Sequence, residues 1–143
     1  MAIIGVIGGG QLARMMQPAA INLGIELRVF AESADSSAHQ AAYRVGDYNN
    51  LENLIEFCHD LDALTFDHEH VPLAVLEALE AEGVSVQPPS KALAFAQNKL
   101  SMRKRLGALG MPMPDWAEIQ DAATLSAFIE AHDGVAILKT PIG

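Results

Sequence analysis

Basic residues are scarce in this chain. Lys and Arg number 9 against 18 Asp and Glu, for a formal net charge of −9. Nucleic-acid binding needs a dominant basic footprint, so no nucleic-acid partner is expected. Cysteine is scarcer still. Cys58 stands alone, which leaves no internal disulfide and no cysteine-built zinc site to consider, and fits a reducing cytoplasm. No apolar run approaches the length of about 20 residues that spans a bilayer, so no membrane partner is expected. The short apolar run at the N-terminus has no basic segment before it, as a signal peptide would. What is present is a 50% apolar composition over 143 residues, enough for one cored domain or for one domain and the start of another.

The most informative stretch is the first sixteen residues. Apolar residues 3–7 run straight into Gly8, Gly9 and Gly10, and Gln11 then opens a segment with Leu12, Met15, Met16, Ala19, Ala20 and Leu23 at helical spacing. This reads as buried strand, tight turn and helix. The glycines let a ligand approach closely. The start of the helix offers unpaired N–H groups and partial positive charge to an anion such as a phosphate. Gly8-x-Gly10-x-x-Ala13 also fits the loose dinucleotide fingerprint. The glycines alone leave two readings open, a phosphate-ligand site or merely tight packing.

Further along, the spacing predicts a strand over residues 25–30, a short helix over 38–43 and a short strand from Val45. A helix over 51–59 follows, capped by Asn49 or Asn50, with Leu51, Leu54, Ile55 and Cys58 inward. Residues 61–66 read as a strand, Pro72 opens a helix with Leu73, Leu76 and Leu79 inward, and residues 84–86 read as a short strand. Strands alternating with helices argue for an α/β fold, a parallel Rossmann-like sheet flanked by helices. Ligands bind such sheets beyond the carboxyl ends of the strands. Three polar clusters sit at such ends, residues 8–11, 32–36 and 67–70, and are expected to converge.

Pro88 and Pro89 mark the boundary, giving a first domain over 1–89 and a second region over 90–143. The second region reads as helical over 90–109 with a break near Gln97. After that come a strand over 116–119, a helix over 122–132 and a strand over 135–139.

Several residues could carry chemistry. Glu32, at the end of the second strand, could bind ribose hydroxyls or simply cap the next helix. Asp67, His68, Glu69 and His70 gather four ionisable groups at one strand end. In extended backbone Asp67 and Glu69 share one face and the two histidines the other. The carboxylates suit ribose hydroxyls or an amine. Two histidines without a third ligand at recognisable spacing make a poor metal site. Lys99, Arg103, Lys104 and Arg105 form a basic patch, and Lys139 ends an apolar strand where it could meet a phosphate or solvent.

The order of these segments is specific. Gly8-Gly9-Gly10-Gln11-Leu12-Ala13-Arg14-Met15 is followed by Thr65-Phe66-Asp67-His68-Glu69-His70-Val71-Pro72. Gln87-Pro88-Pro89-Ser90, Gln97-Asn98-Lys99 and Leu138-Lys139-Thr140 come after them. This series resembles 5-(carboxyamino)imidazole ribonucleotide synthase, an ATP-grasp ligase family of purine biosynthesis, over the whole chain. The family reads G-x-G-Q-L-x-R-M, T-x-E-x-E-x-V-P, P-S, Q-[DN]-[RK] and V-x-K. Asp67 departs from it where many members carry Glu.

The resemblance implies a pre-ATP-grasp domain over 1–89 and the beginning of an ATP-grasp domain over 90–143. It implies ATP-dependent carboxylation of 5-aminoimidazole ribonucleotide with bicarbonate, giving ADP and phosphate, in a cytoplasmic enzyme expected to be a homodimer. By carry-over, Gly8, Gly10, Gln11, Leu12, Glu32, Glu69 and His70 would hold the ribonucleotide, with Asp67 assisting, and Lys99 and Lys139 would contact ATP. The family's glycine-rich loop would start at Gly143. The acidic Mg2+ ligands are expected beyond that residue, which would leave these 143 residues inactive alone. Trp116, Phe128, Ile137 and Leu138 would then be left uncovered. Two other readings remain, an NAD(P)-dependent oxidoreductase domain, resting on the glycines and Glu32, and a non-catalytic ligand-binding module.

Overall fold

The computed structural model describes residues 1–142, and Gly143, expected to open a glycine-rich loop, lies outside the described residues. The chain forms two compact units, Met1–Ala94 and a second that starts at Phe95.

The first unit is built on four parallel strands, β1 (Ile3–Ile7), β2 (Glu26–Ala31), β3 (Ala42–Val45) and β4 (Ala63–Phe66), in the order β3-β2-β1-β4. Successive strand residues face opposite sides, and the core divides accordingly. Ile7, Phe30 and Leu64 point to one face, where Leu54 and Phe57 of α2 (Leu51–Cys58) and Leu76 and Leu79 of α3 (Leu73–Ala81) cover them. Val6, Val29 and Ala31 point to the other, against Ala13 of α1 (Gln11–Leu23) and Ala38. A sheet covered on both faces is the arrangement that near-continuous apolar strands require.

The sequence misjudges some faces. Leu12, Met15 and Leu23 of α1 are more than half exposed, while Ala13 and Ala20 are buried. The helix packs on its small residues because they let its backbone approach the sheet, and the larger apolar side chains are turned outward. In α2, Phe57 takes the inward place expected of Ile55 and sits edge-on to Phe30 at 5.4 Å between ring centroids. The helix expected over 38–43 is only a 3-10 turn, His39–Ala41, that runs into β3. The strand expected over 84–86 contracts to a single parallel bridge, Val86 to Leu64. Gln87 N–H donates to the Leu64 carbonyl at 2.7 Å, and no further rung follows.

Helix α4 (Ser90–Gln97) begins at the predicted boundary, yet Leu93 packs in the first core. Ser90 fastens its start, donating from N–H and Oγ to the two carboxylate oxygens of Glu80, each at 2.7 Å. Those bonds pull the Glu80 carboxyl below its ordinary range.

In the second unit α5 (Lys99–Ala108) is capped by Asn98, whose side chain accepts from Ser101 N–H, so the predicted break falls at Asn98. Helix α6 (Ala122–Ala131) starts in a capping box between Asp121 and Thr124. Residues 116–119 and 135–139, expected as strands, are irregular among the described residues. A strand is stable only when a neighbour accepts its hydrogen bonds, and neither segment joins a ladder. Ile137 is 82% and Leu138 67% exposed. Trp116 and Phe128 are half-buried and line a cleft of about 390 Å³ with Met111, Met113 and His132.

Candidate functional site at the carboxyl edge of the sheet

The register of the sheet builds the site. Ile7 pairs with Phe30 on one side and Phe66 on the other, so Gly8 emerges between the ends of β2 and β4. Gly8 N–H donates to the Phe30 carbonyl at 2.9 Å, and Asp67 N–H donates to the Ile7 carbonyl at 3.0 Å. The turn then carries the chain into α1, whose N-cap is Gly10 and whose first N–H groups have no side-chain cap.

Glu32 leaves the end of β2 and turns back onto this turn. Its Oε2 accepts the Gly9 N–H at 2.9 Å. Its Oε1 lies 3.1 Å from His68 Nε2. The His70 N–H donates to His68 Nδ1 at 3.2 Å, which makes Nδ1 the acceptor and places the ring proton on Nε2, directed at Glu32. Burial pushes the Glu32 carboxyl up, but the bonds from Gly9 and His68 outweigh it, and the net shift is below the ordinary 4.5. Glu32 therefore does not cap the following helical turn, one of its two expected roles.

Asp67 lies beneath the glycines. Its side chain is 3% exposed, and a Cβ added at Gly8 or Gly10 would overlap its carboxylate. Gly8 also has φ +102°, a conformation that L side chains rarely adopt. The glycines are thus required by backbone shape and by the Asp67 carboxylate, not by space for a ligand alone. Asp67 Oδ1 is buried and has no hydrogen-bond partner. His68 Nε2 stands 3.8 Å from it, within ion-pair range but too far for a hydrogen bond. On the other side of the turn, Ser36 Oγ is likewise buried and unpartnered beside Gly9. Ala38 N–H holds the turn by donating to the Gly9 carbonyl at 2.9 Å.

The three expected polar clusters do meet here. Gly8, Gly10 and Glu32 are brought together, with Asp67, His68 and Ser36 among them. Gln11 and Leu12 are exposed on the first turn of α1. Glu69 and His70 are exposed in the turn after β4. The expected pairing of Asp67 with Glu69 on one face fails because β4 ends at Phe66 and the chain bends. Asp67 alone turns in, while the His68 and His70 rings come to 5.6 Å of one another. Lys99 and Lys139 belong to the second unit. The Lys99 N–H donates to the Pro141 carbonyl at 2.8 Å, which brings the two lysine-bearing segments together. Among the described residues no group of three or more His, Cys, Asp or Glu side chains could hold a metal ion.

Residues 1–97 match the ribonucleotide synthetase preATP-grasp domain family. N5-carboxyaminoimidazole ribonucleotide synthase of Corynebacterium ammoniagenes is 47% identical over 145 residues, a match that covers 100% of this chain and 35% of that protein. The structure of N5-carboxyaminoimidazole synthetase from Staphylococcus aureus complexed with ADP superposes with a TM-score of 0.83 at 26% identity, over 99% of this chain and 39% of that one. The Aspergillus clavatus synthase, in complex with ADP and 5-aminoimidazole ribonucleotide, superposes with a TM-score of 0.76 at 29% identity, over 91% and 36%. The chain thus spans about a third of the length of the relatives it matches. The family match covers the whole parallel sheet and the glycine turn at its carboxyl edge, and on that ground the chain belongs to the ribonucleotide synthetase preATP-grasp domain family.

Proposed function

We propose that this chain supplies the ribonucleotide-binding part of an N5-carboxyaminoimidazole ribonucleotide synthase, an ATP-grasp ligase of purine biosynthesis. The observation that carries the reading is the glycine turn at the mouth of α1, closed on by Glu32, Asp67 and His68 from two neighbouring strand ends. Relatives that share this portion at 44–47% identity are named for that activity.

In the proposed reaction ATP phosphorylates bicarbonate to carboxyphosphate. Carboxyphosphate releases phosphate and carbon dioxide, and the exocyclic amine of 5-aminoimidazole ribonucleotide attacks the carbon dioxide to form the carbamate. Phosphoryl transfer of this kind is accelerated by positioning and charge neutralisation. This chain's share is binding. Gly8 and Gly10 give the ligand access to the backbone, Gln11 and Leu12 border it from α1, and Glu32, Glu69 and His70 offer polar contacts. In the second unit Lys99 and Lys139 are assigned to the phosphates of ATP as point charges. Mg2+, a homodimer and a cytoplasmic location belong to the same proposal.

The test is calorimetry of 5-aminoimidazole ribonucleotide against the chain and its Gln11→Ala variant. Losing one ligand hydrogen bond and leaving its partner unpaired costs about 1 kcal/mol or more, a loss that the titration resolves. Unchanged affinity would remove Gln11 from the site, and nicotinamide cofactor binding in place of ribonucleotide binding would favour the oxidoreductase reading.

A further inference from the structure

The turn after β4 and the glycine turn before α1 are separate loops, yet one imidazole ties them together. His70 N–H donates to His68 Nδ1 at 3.2 Å, and His68 Nε2 faces Glu32 Oε1 at 3.1 Å. Glu32 Oε2 in turn accepts the Gly9 N–H at 2.9 Å. The bonds therefore run from the backbone of one loop to the backbone of the other, and His68 is the link that spans them. It works in one tautomer only, because the ring must accept at Nδ1 and donate at Nε2. Packing holds the ring for this task. It is half-buried, a Cβ at Gly8 would come to 3.0 Å of its Cδ2, and the Tyr48 and His70 rings each stand 5.6 Å from it between centroids.

The link depends on the charge of the ring. A second proton goes to Nδ1 and turns that atom from acceptor to donor. Nδ1 would then face the His70 N–H, donor against donor, and the bond to the β4 turn is lost. The other half of the link survives and gains charge assistance, because Nε2 stays beside Glu32 and lies 3.8 Å from Asp67 Oδ1. The groups facing the ring are Glu32 from the end of β2, Asp67 and His70 from its own turn, and Tyr48 from the loop after β3.

We infer that His68 is a positioning residue whose second proton uncouples the two loops of the site. The neutral ring holds the turn carrying Glu69 and His70 in place against the glycine turn. The charged ring releases that turn while it keeps Glu32 on Gly9. The inference rests on the ribonucleotide-binding reading above and adds to it a pH dependence that His68 alone confers.

Nitrogen resonances of the whole chain test this without a ligand. The His68 ring should carry its proton on Nε2 at pH 8. On acidification the His70 amide should shift and lose protection from solvent exchange with the midpoint of the His68 ring. The Gly9 amide should stay protected until Glu32 titrates at lower pH. Two substitutions divide the ring. His68→Asn keeps an acceptor at the place of Nδ1, so the His70 amide should stay protected at every pH while the Gly9 amide loosens. His68→Gln keeps a donor at the place of Nε2 and should give the reverse. Calorimetry with 5-aminoimidazole ribonucleotide then reads the consequence. Relative to His68→Asn at the same pH, the unsubstituted chain should lose about fivefold in affinity across the His68 midpoint, the effect of one net hydrogen bond. That comparison cancels the titration of the ligand's own phosphate.

A ring proton on Nδ1 at pH 8, or a His70 amide indifferent to the His68 titration, would overturn the inference. Both are read on the unsubstituted chain, even if a variant fails to fold. A constant affinity ratio would overturn it as well, while leaving the ribonucleotide reading in place. A ribonucleotide that binds neither protein at any pH would take down that reading, and the amides would still decide whether His68 couples the two loops.

Discussion

Replacing Gly8 by alanine should be among the most damaging single changes in the first unit. Two independent costs add. The first is backbone strain, because φ at Gly8 is +102° and an L residue held in a left-handed conformation costs roughly 1–2 kcal/mol. The second is crowding. The new methyl group would overlap Asp67 Oδ1. That carboxylate is 3% exposed and has little room to retreat. Overpacking of a tight site costs about 1–3 kcal/mol. The sum, about 2–5 kcal/mol, is a large part of the 5–15 kcal/mol that typically holds a domain folded. Gly24 is the control. It too has positive φ, at +67°, but a Cβ there meets nothing within 4 Å, so Gly24→Ala carries the strain without the crowding. Urea unfolding followed by circular dichroism gives both losses. The double variant Gly8→Ala with Asp67→Ala should recover part of the Gly8→Ala loss, since removing the carboxylate removes the overlap. If Gly8→Ala proved no worse than Gly24→Ala, Asp67 would not be packed under the turn and the account of the site would fail.

The other predictions concern burial and charge. Leu76→Ala, at a fully buried position between α3 and the sheet, should destabilise by about 2–5 kcal/mol in the same assay. The Glu32 carboxyl is held below its ordinary 4.5 in the folded chain. Its contribution to stability is therefore complete above that value and lost as pH falls through the lower folded value. Stability measured from pH 6 downward should show this loss, and Glu32→Gln should flatten it. The Cys58 thiol is buried and pushed up to about 12, so little thiolate forms near neutrality. A thiol reagent at pH 8 should label the native chain far more slowly than the urea-unfolded chain, and equal rates would show that α2 does not shield it.

The parts of the fold that were legible in the sequence are those fixed by local chemistry. Asn50 caps its helix with a side-chain oxygen, Pro72 stands at the entrance of α3, and Gly24 adopts the left-handed conformation at the end of α1. These signals lie within a few residues of the feature they predict. The errors arose where distant partners decide. Residues 135–139 have the composition of a strand, but strand composition forms no ladder without a neighbour. Residues 84–86 have a neighbour and make one bridge with it. The inward face of α1 was misassigned for a related reason. Large apolar residues at helical spacing look like a core face, yet a helix pressed close to a sheet needs its small residues inward, and only the sheet's position reveals how close it lies.

The site repeats this division. Its location was readable, because the three polar clusters each follow a strand and parallel strands end on the same edge. Its internal assignments were not, because they depend on register. That Ile7 is flanked by Phe30 and Phe66 is what puts Asp67 under Gly8 and Glu32 within reach of Gly9. A shift of one residue in β4 would exchange the faces of Asp67 and His68. Read on sequence alone, the four ionisable residues after β4 are equivalent candidates. Once the register is fixed they divide into distinct tasks. Asp67 is buried as an unpartnered acceptor, His68 is oriented by the His70 N–H and directed at Glu32, and Glu69 and His70 are left at the surface. The same register accounts for the glycines. A side chain at position 8 or 10 would occupy the volume of the Asp67 carboxylate, so the turn and the acid beneath it form one unit, and the chemistry of any ligand admitted there is set by the acid as much as by the helix behind it.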